Sequence, residues 1–79
     1  MLELHKRLGP AVRHYRGEAG LSQAVLARKV GKSQPWIAAV ESGHLDVQLG
    51  QVERLAASLN VKPETLLEFD PAAPPDAQA

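Results

Sequence analysis

The sequence predicts an all-α domain of five short helices, and three observations carry that prediction. Apolar residues recur at steps of three and four, no run alternates as a half-buried strand does, and glycine, serine and proline punctuate the chain at helix-length intervals. With 79 residues there is room for one domain only. A chain of that size buries about 60% of the surface its unfolded form exposes, so it depends on efficient packing or on pairing with a second copy. It has no cysteine, so neither a disulfide framework nor a thiolate zinc site assists the core.

The elements follow in order. Leu8, Val12, Tyr15 and Ala19 share one face of a first helix that closes at Gly20. Pro10 lacks an N–H and crowds the preceding turn, which predicts that the regular helix begins near Gly9 or kinks there; Leu2 to Lys6 read as helical as well. Ser22 caps a second helix, SQAVLARKV, with Leu26, Ala27 and Val30 on one face and Gly31 at its end. Ser33 caps a third, in KSQPWIAAVESG, with Pro35 in its first turn where backbone N–H groups lack partners anyway. Asp46 is the expected cap of a fourth helix bearing Leu49, Val52, Leu55, Ala56 and Leu59. Pro63 opens a short fifth, PETLLEF, with Leu66 and Leu67 facing inward. The expected boundaries are a folded domain over residues 1–69 and a disordered proline- and alanine-rich tail over 70–79.

Charge narrows the function. The formal net charge is zero, but it is unevenly spread. Up to Lys32 the bases Lys6, Arg7, Arg13, Arg16, Arg28, Lys29 and Lys32 face only Glu3 and Glu18. Beyond it Arg54 and Lys62 face Glu41, Asp46, Glu53, Glu64, Glu68, Asp70 and Asp76. Such a division suggests one basic face for a polyanion and one acidic, solvated end. No apolar run reaches the roughly 20 residues of a membrane span, and the start lacks the apolar stretch of a secretory signal, so a cytoplasmic protein is expected. His5, His14 and His44 have no metal-ligand spacing, and no serine, histidine and acid set suggests catalysis, so neither a metal, a cofactor nor an enzymatic activity is expected.

The second and third helices, joined by a tight turn at Gly31 and spanning about residues 22–42, form a helix-turn-helix arrangement. In that arrangement the first helix braces the phosphate backbone while the second lays its N-terminal end in the major groove. The run LGPAVRHYRGEAGLSQAVLARKVGKSQPWIAAVESG, with QVERLAASLNVKPETLL after it, resembles the phage Cro and repressor type of helix-turn-helix DNA-binding domain, the xenobiotic-response-element family. The resemblance extends from Leu8 to Leu67. Its most specific elements are Gly20-Leu21-Ser22-Gln23, Leu26-Ala27, Gly31, Ile37, Glu41 with Gly43, Leu55-Ala56, and Leu59 with Val61.

The resemblance implies a compact five-helix repressor-like domain and a set of roles. Gln23 matches the glutamine that contacts the DNA backbone and helps position the reading side chains. Ser33, Gln34 and Pro35 match the opening of the recognition helix, and Trp36 and Ala39 match positions facing backbone or bases. Arg16 and Glu41 match an ion pair that ties the recognition helix to the first helix. A carboxylate near a helix C-terminus opposes the helix dipole, so a cationic partner for Glu41 makes independent physical sense.

Several positions depart from the family pattern. Ala24 and Val25 stand where glutamates are common, so Ser22 caps alone. His44 and Leu45 stand where a basic phosphate contact is common, and Ala39 replaces a polar or basic reader. Gln34 is left as the one side chain of the helix suited to a bidentate contact, most naturally with adenine N6 and N7. Arg28 and Lys32 near the turn, with Arg13 and Lys29, are either phosphate clamps or solubilising charges. Trp36 projects about 100° from Ile37, either to the DNA surface or over the first helix beside Tyr15.

A single module of this size covers only about 600–1,000 Å² of DNA, which predicts a homodimer on a pseudo-palindromic operator. The expected interface is Val61, Leu66, Leu67 and Phe69, the alternative being that Phe69 merely covers the end of the bundle. The chain thus reads as a bacterial or phage transcriptional regulator, a repressor before an activator, localised to the nucleoid by its DNA. Narrower readings are a phage or plasmid repressor, including a restriction–modification controller, and an antitoxin whose acidic end binds a toxin. A protein-interaction adaptor that has lost DNA binding is the reading from a different class.

Overall fold

The computed structural model describes residues 2–70 in backbone and residues 7–70 in side chain. Five helices follow one another with no strand among the described residues: α1 Leu2–Glu18, α2 Gln23–Val30, α3 Gln34–Glu41, α4 Leu49–Leu59 and α5 Pro63–Leu67. The tail expected after Asp70 lies outside the described residues. No helix among those described is long and apolar enough to cross a membrane.

The core is assembled from one stripe of each helix: Leu8 and Val12 from α1, Leu26 and Val30 from α2, Ile37 and Val40 from α3, Leu55 and Leu59 from α4, and Leu66 from α5. α3 lies against both α1 and α2, while α5 closes the far side against α1 and α4. α3 is therefore fixed from two directions and leaves its N-terminal end outward. Among the described residues, the fully buried set is entirely apolar.

Four sequence expectations change. α1 runs through Pro10 as one element from Leu2, so residues 2–6 are helical as expected but the helix does not begin at Gly9. A proline inside a helix sacrifices one hydrogen bond and strains a turn, about 3 kcal/mol. Burial of Leu8, Ala11 and Val12 at 3%, 0% and 0% exposure on either side of it outweighs that loss, because tertiary packing dominates the stability of short helices. Ala19, placed on the apolar face, is exposed because α1 ends one residue before it.

The fourth helix starts later than expected. Its N-cap is Gln48, whose backbone N–H donates to Gln51 Oε1 at 2.9 Å, and not Asp46. Leu45 and Val47 pack onto the core from the non-helical segment before α4, which begins only at Leu49. Leu49, expected on the buried stripe, is then the first helical residue, overhangs the core and is 67% exposed. The stripe proper is Val52, Leu55, Ala56 and Leu59.

Gly9 and Gly17 sit in the same helix with opposite consequences. A Cβ on Gly9 would lie 2.6 Å from the carbonyl oxygens of both Val40 and Glu41, so glycine here is what lets α1 and α3 meet backbone to backbone. A Cβ on Gly17, in the last turn of α1, would have nothing within 4 Å of it. Gly17→Ala is expected to raise stability by about 0.5–1 kcal/mol, a gain of several degrees in thermal midpoint, because only the backbone entropy of glycine is removed. Thermal unfolding followed by circular dichroism checks this, and a lowered midpoint would contradict it.

Candidate nucleic-acid interface

The helix-turn-helix is built by local rules that the sequence states openly. α2 begins at Ser22, whose Oγ accepts from the Val25 N–H at 3.1 Å. It stops at Gly31, whose φ of 82° is the left-handed conformation that a side chain disfavours. The Gly31 and Lys32 N–H groups both return to the Ala27 carbonyl, at 2.9 and 2.8 Å. Ser33 then caps α3 by accepting from the Trp36 N–H at 3.3 Å, so three residues separate the two helices. From α4, Arg54 Nη1 donates to the Val30 carbonyl at 3.4 Å, placing a cation at the C-terminal end of α2 where the helix dipole favours it.

Behind the outward end of α3 lies a connected polar network. Arg16 grips the Glu41 carboxylate side-on, donating from Nε to Oε2 at 2.6 Å and from Nη2 to Oε1 at 3.1 Å. Its Nη1 donates to the Leu21 carbonyl at 2.9 Å, which also ties the α1–α2 turn to the pair. Glu41 Oε1 accepts further from Gln23 Nε2 at 3.0 Å, and Gln23 Oε1 accepts from Gln34 Nε2 at 2.7 Å. The Glu41 side chain is only 6% exposed and that of Arg16 is 19% exposed. The hydrogen bond from Arg16 to Glu41, reinforced by the carboxylate charge, holds the guanidinium above its ordinary, already high pKa, while burial pulls it down. A guanidinium does not deprotonate in proteins, so no rise in pH that the fold survives releases Arg16 from the pair.

The network orders the predicted residues from inside to outside: a part-buried ion pair, a half-buried Gln23 at the first turn of α2, and an exposed Gln34 at the first position of α3. Beside it, Arg13 joins Arg16, Gln23, Ala38, Glu41 and Ser42 around a cleft of about 340 Å³ between α1 and α3. Arg28, Lys32, Ser33 and Pro35 are exposed around the turn, and Ala39 is half-buried on α3. His44 is exposed, its Nδ1 2.9 Å from Ser42 Oγ, so it extends the C-terminal end of α3.

Trp36 is half-buried at the edge of the core, and Lys32 Nζ stands 5.3 Å from the centre of its ring. An exposed cation–π contact at that distance is worth about 0.5–1 kcal/mol and keeps the lysine charge at the turn. Tyr15 instead contacts His14 edge-on, with ring centres 4.8 Å apart, and Phe69 at 5.9 Å.

Phe69 and Leu66 are a correction to the expected dimer surface. Leu66 is 0% and Phe69 7% exposed within one chain, so both belong to the core. Phe69 covers the end of the bundle because Tyr15 and His14 offer it an aromatic seat on α1. Val61 and Leu67 remain half-buried.

Sequence reasoning did not reach the link from Glu41 to Gln23, the bond between Gln23 and Gln34, or the Lys32–Trp36 contact. The first two join side chains 18 and 11 positions apart and depend on how α1, α2 and α3 cross. The Lys32–Trp36 contact spans four residues across a helix cap, and the pairing of those two types was the available signal. Among the described residues no group of three or more metal-ligand side chains comes together.

Comparison with known proteins bears on the fold as a whole. Residues 7–69 match the family model described as a helix-turn-helix domain. No curated protein matches the chain. Among solved structures, a hypothetical transcription factor from Neisseria is 32% identical with a TM-score of 0.79, over 95% of this chain and 80% of that one. The restriction–modification controller protein C.AhdI from Aeromonas hydrophila is 31% identical with a TM-score of 0.77, over 82% of this chain and 94% of that one. The chain belongs to the helix-turn-helix domain family and has the five-helix fold of DNA-binding transcription regulators.

Proposed function

We propose that the protein is a sequence-specific regulator that binds an operator as a homodimer and represses transcription by occupying it. The observation that carries this reading is the arrangement of Gln34. It is exposed at the first position of α3 and held at 2.7 Å by Gln23, whose own amide is fixed to a part-buried ion pair. A long polar side chain at that place, pre-ordered before DNA arrives, suits contact with a base edge, since less side-chain freedom is lost on binding. Gln23 keeps a second amide N–H beyond its bond to Glu41, suited to a phosphate.

Around these two, Ser33, Pro35, Trp36 and Ala39 form the apolar and small surface of the reading end. Arg28, Lys32 and His44 supply phosphate contacts at its edges. One module leaves the footprint small, and two-fold pairing adds a second α3 about 34 Å away, one helical turn along the duplex. With Leu66 and Phe69 committed to the core, the pairing surface is assigned to Val61 and Leu67 and what adjoins them. Among the narrower roles, a controller-type regulator has the support of the likeness to C.AhdI, nearly all of whose length is covered.

Selection of bound sites from random duplex DNA tests the proposal. It is expected to return a pseudo-palindrome with half-sites one turn apart, and recovery of no preferred sequence would reject operator recognition. On the selected site, Gln34→Ala is expected to lose about 1–3 kcal/mol of discrimination at one base pair per half-site. Arg28→Ala is expected to weaken all sequences alike and to lower the salt slope by about one, which a titration at several salt concentrations reads directly.

A further inference from the structure

We propose that Glu41 decides which way round Gln34 presents its amide, and thereby makes the protein prefer adenine to guanine at the base pair Gln34 meets. The inference rests on the base-reading role given to Gln34 above. A carboxylate gripped by a guanidinium offers lone pairs only, and here one oxygen of Glu41 is engaged by Arg16 Nε while the other takes both Arg16 Nη2 and Gln23 Nε2. Gln23 must therefore turn its nitrogen inward, to Glu41, and its oxygen outward, to Gln34. Gln34 in turn must spend one of its two amide hydrogens on that oxygen, at 2.7 Å. The order is forced by chemistry at each step, since two oxygens cannot share a hydrogen bond without a hydrogen between them.

What remains on Gln34 is one N–H and one carbonyl oxygen. Adenine shows the major groove one acceptor, N7, and one donor, N6–H, which match that pair. Guanine shows two acceptors, N7 and O6, and a glutamine satisfies both only with two free N–H groups. The relay removes one of them. If Gln23 were reversed, its nitrogen would donate to the oxygen of Gln34, both amide hydrogens of Gln34 would be free, and guanine would be the better match. The polarity of an exposed side chain is thus set by a carboxylate that is 6% exposed and two residues removed from the DNA. Glu41 is in this sense a positioning residue for specificity as well as a structural anchor.

The test uses the full chain and sites selected from random duplex DNA. Gln34→Ala first identifies the base pair whose preference it removes. Duplexes carrying A·T or G·C at that pair are then titrated with the wild type, Glu41→Gln and Gln23→Ala, and the ratio of the two affinities is read. Glutamine at 41 keeps the volume and one acceptor for Arg16 but offers an N–H to Gln23, which reverses the relay. Alanine at 23 leaves the ion pair intact and releases the second hydrogen of Gln34, so the inference stays testable even if Glu41→Gln folds poorly. Both variants are expected to lower the adenine-to-guanine ratio by about tenfold, with preferences at other base pairs unchanged. If both retain the wild-type ratio and merely bind the two duplexes more weakly, Glu41 is structural only and the inference is overturned. If Gln34→Ala alters no base preference, the base-reading role itself fails and takes the inference with it.

Discussion

Gly9→Ala is expected to lower the thermal midpoint by roughly 10–20 °C, the largest effect of any single methyl in the chain. Two effects oppose each other at this position. Alanine is favoured over glycine inside a helix by about 1 kcal/mol. Against that, the new Cβ would meet the Val40 and Glu41 carbonyl oxygens at 2.6 Å and the Glu41 carbonyl carbon at 3.0 Å. These are backbone atoms at the end of α3 and cannot swing aside as a side chain does, so the two helices must part. Overpacking of a core commonly costs about 1–3 kcal/mol, and backbone against backbone belongs at the upper end or beyond it. The clash therefore wins by about 2 kcal/mol or more. Because the Glu41 backbone rests on Gly9 while its side chain is held by Arg16, parting the helices also stretches the ion pair. Circular dichroism on Gly9→Ala beside Gly17→Ala checks the contrast, and similar midpoints for the two would contradict it.

Glu41→Ala is expected to destabilise the fold by about 3 kcal/mol, the lower end of the range for breaking a buried ion pair by removing one partner, because this pair is part-buried. The loss is not confined to the pair. Arg16 keeps its bond to the Leu21 carbonyl but has no counter-charge, and Gln23 loses the acceptor for its inward N–H. Arg16, at 19% side-chain exposure, retains some access to water, whereas Glu41 in an Arg16→Ala variant, at 6%, retains almost none. Arg16→Ala is therefore expected to be at least as damaging as Glu41→Ala. Urea unfolding of the three proteins gives the comparison, and losses below about 1 kcal/mol would place the pair among weak surface bridges.

Much of this is legible in the sequence, and the parts that are not share a cause. Helix caps are local, so Ser22, Gly31 and Ser33 can be placed from their neighbours alone. The Arg16–Glu41 pair follows from family resemblance together with the unfavourable position of a carboxylate at the end of α3. Pro10 misleads because its local penalty is real and is overcome only by the burial of Leu8, Ala11 and Val12, which no local rule contains. Asp46 and Leu49 mislead because Leu45 and Val47 pack onto the core from the non-helical segment before α4, which begins only at Leu49. Phe69 reads as outward for want of any sign that Tyr15 and His14 will receive it. Gln34 stands out in the sequence as the long polar side chain opening α3, but its tether through Gln23 to Glu41 depends on three helices crossing at one point.

Everything functional proposed for this chain depends on α3 reading DNA sequence through a pre-ordered Gln34. A binding titration of the wild-type chain against its own promoter region and an unrelated duplex, at several salt concentrations, bears on that dependence without any variant. Preference for the promoter is expected, with affinity falling steeply as salt rises because phosphate contacts release counterions. Absence of binding to either duplex at low salt would contradict it.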